Sequence, residues 1–153
     1  MSFRPVLAMV DYQDQELFPA PRDRVWTLLK AHLDDAKIPQ IHSLIRSQVT
    51  VSHSGDEWTF DRTIDARGKL LKSRWKLTYR PPGFGRWEVV SGEGPWAEGS
   101  YIESTYAEAP EGTLIKSHGD LKIKVLPFFM PQKSTIERVL GDIESEDRSY
   151  IRG

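Results

Sequence analysis

Hydrophobic and polar residues alternate with a period of two over most of the chain between residues 44 and 126. A period of two places successive side chains on opposite faces of a β-strand, so each run of this kind predicts one strand. Short segments rich in glycine, proline and serine separate the runs, and connections of this kind favour antiparallel hairpins. The pattern predicts a meander with strands at Ile45–Val51, Trp58–Ala66, Leu70–Arg80, Arg86–Ser91, Ser100–Ala107 and Thr113–Leu126.

The region before the meander predicts one further strand and up to two helices. Residues Pro5 to Leu17 alternate loosely and predict a strand, which the segment Phe18–Pro21 ends. Pro21 suits the first turn of a helix because its fixed φ is helical, and an apolar stripe at helical spacing follows it. Pro39 interrupts residues 34–42, so this segment predicts at most a short or broken second helix. The stripe of the first helix consists of Val25, Leu28, Leu29 and Leu33.

A long helix is predicted near the end of the chain. Ser134 precedes Glu137 by three residues, which is the capping-box pattern typical of a helix start. The helix would be about 25 Å long at about 1.5 Å per residue, which is long enough to lie across a sheet. No internal repeat or linker divides the sequence, so residues 1–153 are expected to form one α+β domain. The apolar stripe of this last helix consists of Ile136, Val139, Leu140 and Ile143.

Three short motifs resemble those of a known superfamily. Phe18–Trp26 resembles an Ala-Pro entry into a helix followed by Val-Trp, Val89–Trp96 resembles a strand that ends in Gly-Pro and an apolar residue, and Glu111–Thr113 resembles the last hairpin. With the order of the predicted elements, these motifs are similar to the SRPBCC or START-like helix-grip superfamily. That superfamily includes START lipid-transfer domains, birch-pollen-type allergens, polyketide cyclases and coenzyme-Q-binding proteins.

The resemblance implies a curved, seven-stranded antiparallel sheet wrapped around the long C-terminal helix, with two short helices after the first strand. It also implies a cavity between the sheet and that helix, which would bind or transport a small hydrophobic ligand such as a lipid, sterol, quinone or polyketide. No catalytic motif is shared across the superfamily, so the resemblance supports ligand binding more firmly than any reaction.

Strand parity predicts which side chains face this cavity, because alternate residues share one face of a strand. The division is clearest in the last strand, where Lys116 and His118 lie opposite the apolar set, and small residues at positions 117 and 119 are expected to leave space for a ligand. The predicted ligand-binding residues are Phe60, Arg62, Trp75, Leu77, Tyr79, Trp87, Val89, Trp96, Ile102, Ser104, Tyr106, Ser117, Gly119, Ile136, Val139, Leu140 and Ile143.

Arg62 is the one charged residue among these candidates. Its planar guanidinium is suited to hold a carboxylate or phosphate of a ligand, since an unpaired buried charge is very costly. Two structural alternatives stay open. Arg62 pairs with an internal acid such as Glu103, or it lies at a strand end and reaches water.

Composition narrows the possible partners. Lys and Arg number 21 and Asp and Glu 22, which argues against a nucleic-acid partner. Cysteine is absent, so disulfides and thiol chemistry are excluded. No run reaches the roughly 18 apolar residues of a membrane span, although transient membrane contact is compatible with the sequence. We therefore expect a cytoplasmic monomer or homodimer.

Sequence motifs for chemistry are weak. The four histidines lack metal-ligand spacing, and no nucleophile elbow or phosphate loop is present. No metal, cofactor or catalytic residue is predicted, and a binding protein is favoured over an enzyme. The alternative is a polyketide cyclase, aromatase or hydrolase in which Arg62, His42 or Tyr106 acts as acid, base or oxyanion donor in the same cavity.

Overall fold

The computed structural model describes residues 6–66, 68–93 and 96–125, which form two helices and seven strands. The predicted C-terminal helix, with Ile136, Val139, Leu140 and Ile143, lies outside the described residues. In chain order the elements are β1 (Val6–Phe18), α1 (Arg22–Ala31), α2 (Ile38–Ile41), β2 (Ile45–Ser54), β3 (Glu57–Ala66), β4 (Lys69–Arg80), β5 (Phe84–Gly92), β6 (Tyr101–Ala109) and β7 (Gly112–Val125).

The seven strands form a single antiparallel sheet in the order β1-β7-β6-β5-β4-β3-β2. Strands β2 to β7 are a meander, as the alternation predicts. Strand β1 pairs with β7 along its whole length, from Val6 opposite Val125 to Phe18 opposite Thr113. The sheet is therefore open, with β1 and β2 at its two edges.

Element boundaries differ from the prediction by a few residues. Strand β5 begins at Phe84 rather than Arg86, because Phe84 and Gly85 pair with both neighbouring strands. Helix α1 ends at Ala31, so Leu33 lies beyond it instead of completing its stripe. Of the two described helices, neither is long and apolar enough to cross a lipid bilayer.

Helix α1 covers one face of the sheet, which we call the inner face. Trp26 and Leu29 of the helix pack with Phe60 of β3 and Leu77 of β4 in the main hydrophobic cluster. A Cβ atom at Gly85 would lie 2.6 Å from the Cδ2 atom of Leu29, so this glycine permits the close approach of helix and sheet. Trp26 is 6% exposed and lies on the buried face of α1, although the stripe predicted from the sequence did not include it.

A second, smaller hydrophobic cluster lies where β1 leads into α1. Phe18 at the end of β1 packs with Val25 of α1, and the Thr113 hydroxyl donates a hydrogen bond to the Ala20 carbonyl at 2.8 Å. Gly112 has a φ of 148°, and a Cβ atom there would collide with the Phe18 carbonyl oxygen. The β6–β7 turn and the β1–α1 connection are thus in direct backbone contact.

The opposite, outer face carries ion pairs between neighbouring strands. Arg74 on β4 pairs with Asp61 on β3 at 2.7 Å, and Arg86 on β5 pairs with Glu103 on β6 at 3.3 Å. Glu103 also accepts from the imidazole of His118 on β7 at 2.6 Å. Each of these charged groups therefore has a partner on a neighbouring strand.

Candidate functional site

Strand register brings most of the predicted site residues together on the inner face. Phe60 lies opposite Trp75, and Leu77 lies opposite Trp87. On the other side of β5, Ile102 lies opposite both Trp87 and Gly119. The faces predicted from strand parity agree with this register and with burial. The described members of the set on this face are Phe60, Arg62, Trp75, Leu77, Tyr79, Trp87, Val89, Ile102, Ser104, Tyr106, Ser117 and Gly119.

Two layers of side chains form the inner face. Phe60 and Leu77 are 0% exposed and Val89 is 1% exposed, so they are the fully buried layer. Trp75 and Trp87 are half-buried, with ring centroids 6.4 Å apart in an edge-to-face arrangement. The half-buried rings, chiefly those of Trp75 and Trp87, form what we call the aromatic wall, and the fully buried side chains pack beside it.

Helix α1 is joined to this wall by a polar contact and by ring packing. The indole N–H of Trp26 donates to the Tyr79 hydroxyl at 3.0 Å. The Trp26 and Tyr106 rings meet edge to face at 5.2 Å between centroids. Such contacts fix ring orientations as well as burying area, so this part of the wall is rigidly placed.

Small residues on β6 and β7 have structural roles of their own. The hydroxyls of Ser104 and Ser117 are 2.6 Å apart and share a hydrogen bond. A Cβ atom at Gly119 would collide with the Tyr101 carbonyl oxygen, so glycine is required there by the close approach of β6. The space expected at position 119 is therefore occupied by backbone. Trp96 is half-buried in the β5–β6 connection, where it forms an isolated bridge with Ile123.

Arg62 lies in the interior of the inner face and is 8% exposed. Its guanidinium carbon is 4.3 Å from the centroid of the Trp87 ring and 5.7 Å from that of Trp75. Its Nε–H donates to the Gln48 side-chain oxygen at 2.8 Å. The alternative that Arg62 pairs with Glu103 is wrong, because Glu103 lies on the outer face with Arg86 and His118. Arg62 is also in mid-strand, opposite Ser73, and not at a strand end.

Gln48 connects Arg62 to the segment between the two helices. Its side-chain amide donates to the His32 carbonyl at 2.8 Å and to the Asp35 carboxylate at 3.1 Å. Asp35 also accepts from the backbone N–H and the hydroxyl of Thr50, at 2.8 Å and 2.9 Å. A continuous chain of hydrogen bonds thus runs from Asp35 to the guanidinium.

Sequence reasoning did not single out Gln48 or Asp35. The valines at positions 49 and 51 suggest that the odd-numbered face of β2 is buried, yet Gln48 is buried and both valines are exposed. Two register irregularities in β2, at Ile45/Ser47 and Thr50/Ser52, break the simple parity. The available signal was the short hairpin between β2 and β3, which sets Gln48 opposite Arg62.

Two buried histidines adjoin this polar region. The Nε2 atoms of His32 and His42 are 3.2 Å apart, and the residues are 6% and 7% exposed. The His32 ring packs edge-on to Trp87 with centroids 5.8 Å apart. His42, considered from sequence as a base at the cavity mouth, is packed against a second imidazole, and His32 was not singled out at all.

A surface cleft of about 460 Å³ lies outside the inner face. It is open to solvent and is bordered by the ion pair between Arg22 and Glu108, 3.5 Å apart. Among the described residues, none of those predicted to bind a ligand lines this cleft. Within the described ranges, no cluster of three or more histidine, aspartate or glutamate side chains has a metal-binding arrangement. The cleft lining comprises Pro19, Ala20, Pro21, Arg22, Glu108, Ala109, Pro110, Glu111 and Gly112.

Comparison with known proteins gives no match in sequence but clear matches in structure. No protein-family model matches the chain, and no curated protein sequence matches it. The crystal structure of Ara h 8.0201 superposes with a TM-score of 0.72 and 15% identity, covering 94% of this chain and 98% of that one. A START superfamily protein from Mycobacterium smegmatis gives a TM-score of 0.69 and 14% identity, covering 94% and 97%.

A third match is the di-domain aromatase/cyclase StfQ from the steffimycin biosynthetic pathway. It gives a TM-score of 0.74 and 16% identity, covering 94% of this chain and 50% of StfQ. The chain thus spans half the length of this di-domain protein. These identities are low, so the likeness concerns the fold and not the activity. The order of the strands, the two helices after β1 and these superpositions together show that the chain has the START-like helix-grip fold.

Proposed function

We propose that this protein binds a small hydrophobic ligand against the inner face, in the space between the sheet and the C-terminal helix predicted from sequence. The observation that carries the proposal is the half-buried aromatic wall around Trp75 and Trp87, which continues directly into the buried guanidinium of Arg62. An apolar wall with a few fixed polar groups is the usual composition of a small-molecule site.

The energetics favour a ligand with a large apolar surface. Aromatic side chains bury 150–250 Å² each in packed interiors, so a wall of several rings offers a large apolar contact area. Burial of roughly 200 Å² of apolar surface at about 25 cal/mol per Å² contributes about 5 kcal/mol before the costs of association. The Tyr79 and Tyr106 hydroxyls and the Arg62 guanidinium would orient polar atoms of the ligand. A lipid, sterol, quinone or polyketide has the required chemistry.

Binding fits the polar groups of the site better than turnover does. Arg62 donates to Gln48, Gln48 donates to Asp35, and the two histidines contact each other, so each is already placed by a structural hydrogen bond. Two of the structural matches, StfQ and Zhui, are described as aromatase/cyclases. This makes a polyketide-like molecule a suitable first ligand to test, without assigning a reaction.

Native mass spectrometry of freshly purified protein is the first test. A bound mass of a few hundred daltons that is lost on gentle activation is expected, and the same spectrum reports the number of subunits. Titration with N-phenyl-1-naphthylamine, an uncharged fluorescent apolar probe, should give saturable fluorescence enhancement. Absence of both a bound mass and saturable probe binding would argue against the proposal.

A pair of substitutions on β7 separates an open cavity from a solid core. Ser117→Phe places a ring on the inner face, and Lys116→Phe places the same ring on the outer face, where Lys116 is exposed. If the inner face borders a cavity, Ser117→Phe should weaken probe binding by roughly tenfold or more, while Lys116→Phe leaves it unchanged. If the inner face is filled, Ser117→Phe should instead cost about 1–3 kcal/mol of stability through overpacking.

A further inference from the structure

Ser104 and Ser117, which we call the serine pair, are a polar spot on the inner face. The two residues lie directly opposite each other on β6 and β7, and both are half-buried. Residues two positions apart along a strand share one face, so Ile102 and Tyr106 on β6 and Ile115 on β7 flank the pair. The two hydroxyl groups therefore lie among apolar and aromatic side chains.

The serine pair has one more hydroxyl hydrogen than its own hydrogen bond uses. The two oxygens are 2.6 Å apart, and their bond takes one of the two hydrogens, whichever serine donates it. Within the described part of the chain, neither hydroxyl has a further hydrogen-bond partner. One O–H group is thus available to donate to a bound ligand.

This O–H group imposes a requirement on any ligand that covers it. A donor that is covered without an acceptor loses its hydrogen bond to water and gains none in return. A ligand with an oxygen at this position replaces that hydrogen bond, whereas a hydrocarbon of the same shape does not. The serine pair can therefore discriminate between ligands, because the penalty falls on the ligand that lacks the acceptor.

Asp14 restricts the charge of the ligand group beside the serine pair. It lies opposite Ser117 on β1, so the two residues share one face of the sheet. A carboxylate repels negative charge, so a ligand carboxylate or phosphate at this position would be opposed. A ketone, quinone or ether oxygen is neutral and does not meet this repulsion.

We infer that the serine pair selects ligands with a neutral oxygen acceptor, such as a ketone or quinone carbonyl, over hydrocarbons of the same shape. The inference rests on the proposed function, since it names the class of ligand that the inner face takes. It is separate from any role of Arg62. Arg62 lies on β3, three strands from β6 in the sheet, so the two groups would face different parts of a ligand.

The test compares 1-acetonaphthone with 1-ethylnaphthalene, which have the same rings and nearly the same shape. Only the ketone has an acceptor oxygen. Both compounds are titrated as competitors of N-phenyl-1-naphthylamine, and the ratio of their affinities is the measured quantity because water solvates the ketone better. The ratio should favour the ketone roughly three- to tenfold less in Ser104→Ala/Ser117→Ala than in the wild type. An unchanged ratio would overturn the inference.

Single substitutions distinguish this hydrogen count from a packing effect. Ser117→Ala removes one hydroxyl but releases the hydrogen of Ser104 from the shared bond, so one donor remains. The affinity ratio should then stay within about twofold of the wild-type ratio, and the same holds for Ser104→Ala. Single-variant losses that add up to the loss in the double variant would contradict the inference. Ser52→Ala/Ser91→Ala, which removes two exposed hydroxyls, is the control and should retain the wild-type ratio.

The restriction to neutral oxygens is tested with 1-naphthoate. Asp14→Asn removes the negative charge beside the serine pair, so the affinity for 1-naphthoate should rise relative to that for 1-acetonaphthone by roughly twofold or more. An unchanged relative affinity would overturn this restriction.

Infrared spectroscopy of the wild-type protein covers the case in which the double variant does not fold. The carbonyl stretch of bound, carbonyl-¹³C-labelled 1-acetonaphthone should lie at lower wavenumber than in cyclohexane, because a hydrogen bond weakens the C=O bond. A stretch at the cyclohexane value would contradict the inference while leaving the proposed function intact. If neither naphthalene compound nor N-phenyl-1-naphthylamine binds, the proposed function fails and this inference fails with it.

Discussion

Arg62 shows how a buried charge is accommodated at one residue. Its guanidinium lies over an indole ring, and its Nε–H has a fixed acceptor in Gln48, so cation–π contact and hydrogen bonding both offset the cost of burial. Alternation along β3 was sufficient to predict that Arg62 faces inward. Its partners were not predictable in the same way, because Gln48 belongs to β2, where the register is irregular.

Removal of the Gln48 side-chain amide should lower the free energy of unfolding. Gln48→Leu deletes the acceptor of the buried Arg62 Nε–H and the donor to the His32 carbonyl, so we expect a loss of about 1–3 kcal/mol in unfolding free energy. Gln40→Leu, at an exposed position of α2, should change it by less than about 0.5 kcal/mol. Urea unfolding followed by tryptophan fluorescence measures both. Equal effects of the two substitutions would exclude a structural role for the network.

At the scale of elements, the strands were more predictable than the details of helix packing. Turn-forming segments separate runs with a clear period of two, and every strand of the meander is found where that period predicts it. The stripe of α1 was placed on Val25, Leu28, Leu29 and Leu33. Trp26 is also buried, and its indole N–H donates a hydrogen bond to Tyr79 on the sheet. Trp26 and Tyr79 are 53 positions apart in the sequence, so their contact has no local sequence signal and periodicity alone does not predict it.

Gly112 offers a test of how the elements are joined. Its φ of 148° is strained for any residue with a Cβ atom, and that atom would also collide with the Phe18 carbonyl. Gly112→Ala should therefore destabilise the fold by at least about 2 kcal/mol, which corresponds to roughly 5 °C or more in Tm. Gly83→Ala is the matched control, since its Cβ atom would lie at an ordinary 3.5 Å from the Tyr106 carbonyl oxygen. A thermal melt of both variants decides the comparison.

At the scale of the whole molecule, hydrogen bonds lower the pKa values of three aspartates in β3 or next to it. Hydrogen bonds from Arg74 hold the pKa of Asp61 below its usual value of 3.8, and desolvation opposes this effect only in part. The pKa of Asp65 is lowered by hydrogen bonds from Arg46 and from the Gly68 backbone. Hydrogen bonding to Arg80 likewise lowers the pKa of Asp56. The region around β3 therefore favours ionised aspartates.

These lowered pKa values predict a loss of stability in strong acid. In the window below about pH 4 the unfolded chain binds more protons than the folded chain, so stability is fully present above that window and falls as the pH is lowered through it. Asp61→Asn should reduce stability slightly at pH 7, and the reduction should be smaller at pH 3. Asp120→Asn, at an exposed position of β7, is the control. Denaturant unfolding at both pH values would refute the expectation if the Asp61→Asn deficit were undiminished at pH 3.

The overall architecture followed from the sequence because antiparallel neighbours connected by short turns leave few alternative topologies. The resemblance to the helix-grip superfamily implied a seven-stranded antiparallel sheet, and the structure shows that its first strand, β1, pairs with β7. The candidate site was only partly predictable. Strand parity placed its aromatic wall, whereas the Asp35–Gln48–Arg62 chain depends on irregular pairing in β2 and on the segment between the helices.

The pairing of β1 with β7 has a consequence for synthesis of the protein on the ribosome. The N-terminal strand leaves the exit tunnel first, yet its partner is completed only at Val125. Translation of the intervening roughly 100 residues at about 5–20 residues per second means a delay of about 5–20 seconds. During that delay Met9 and Leu17, which stay largely exposed even in the native state, belong to a strand without its neighbour. A nascent chain stalled before β7 should therefore be the form that chaperones engage most strongly.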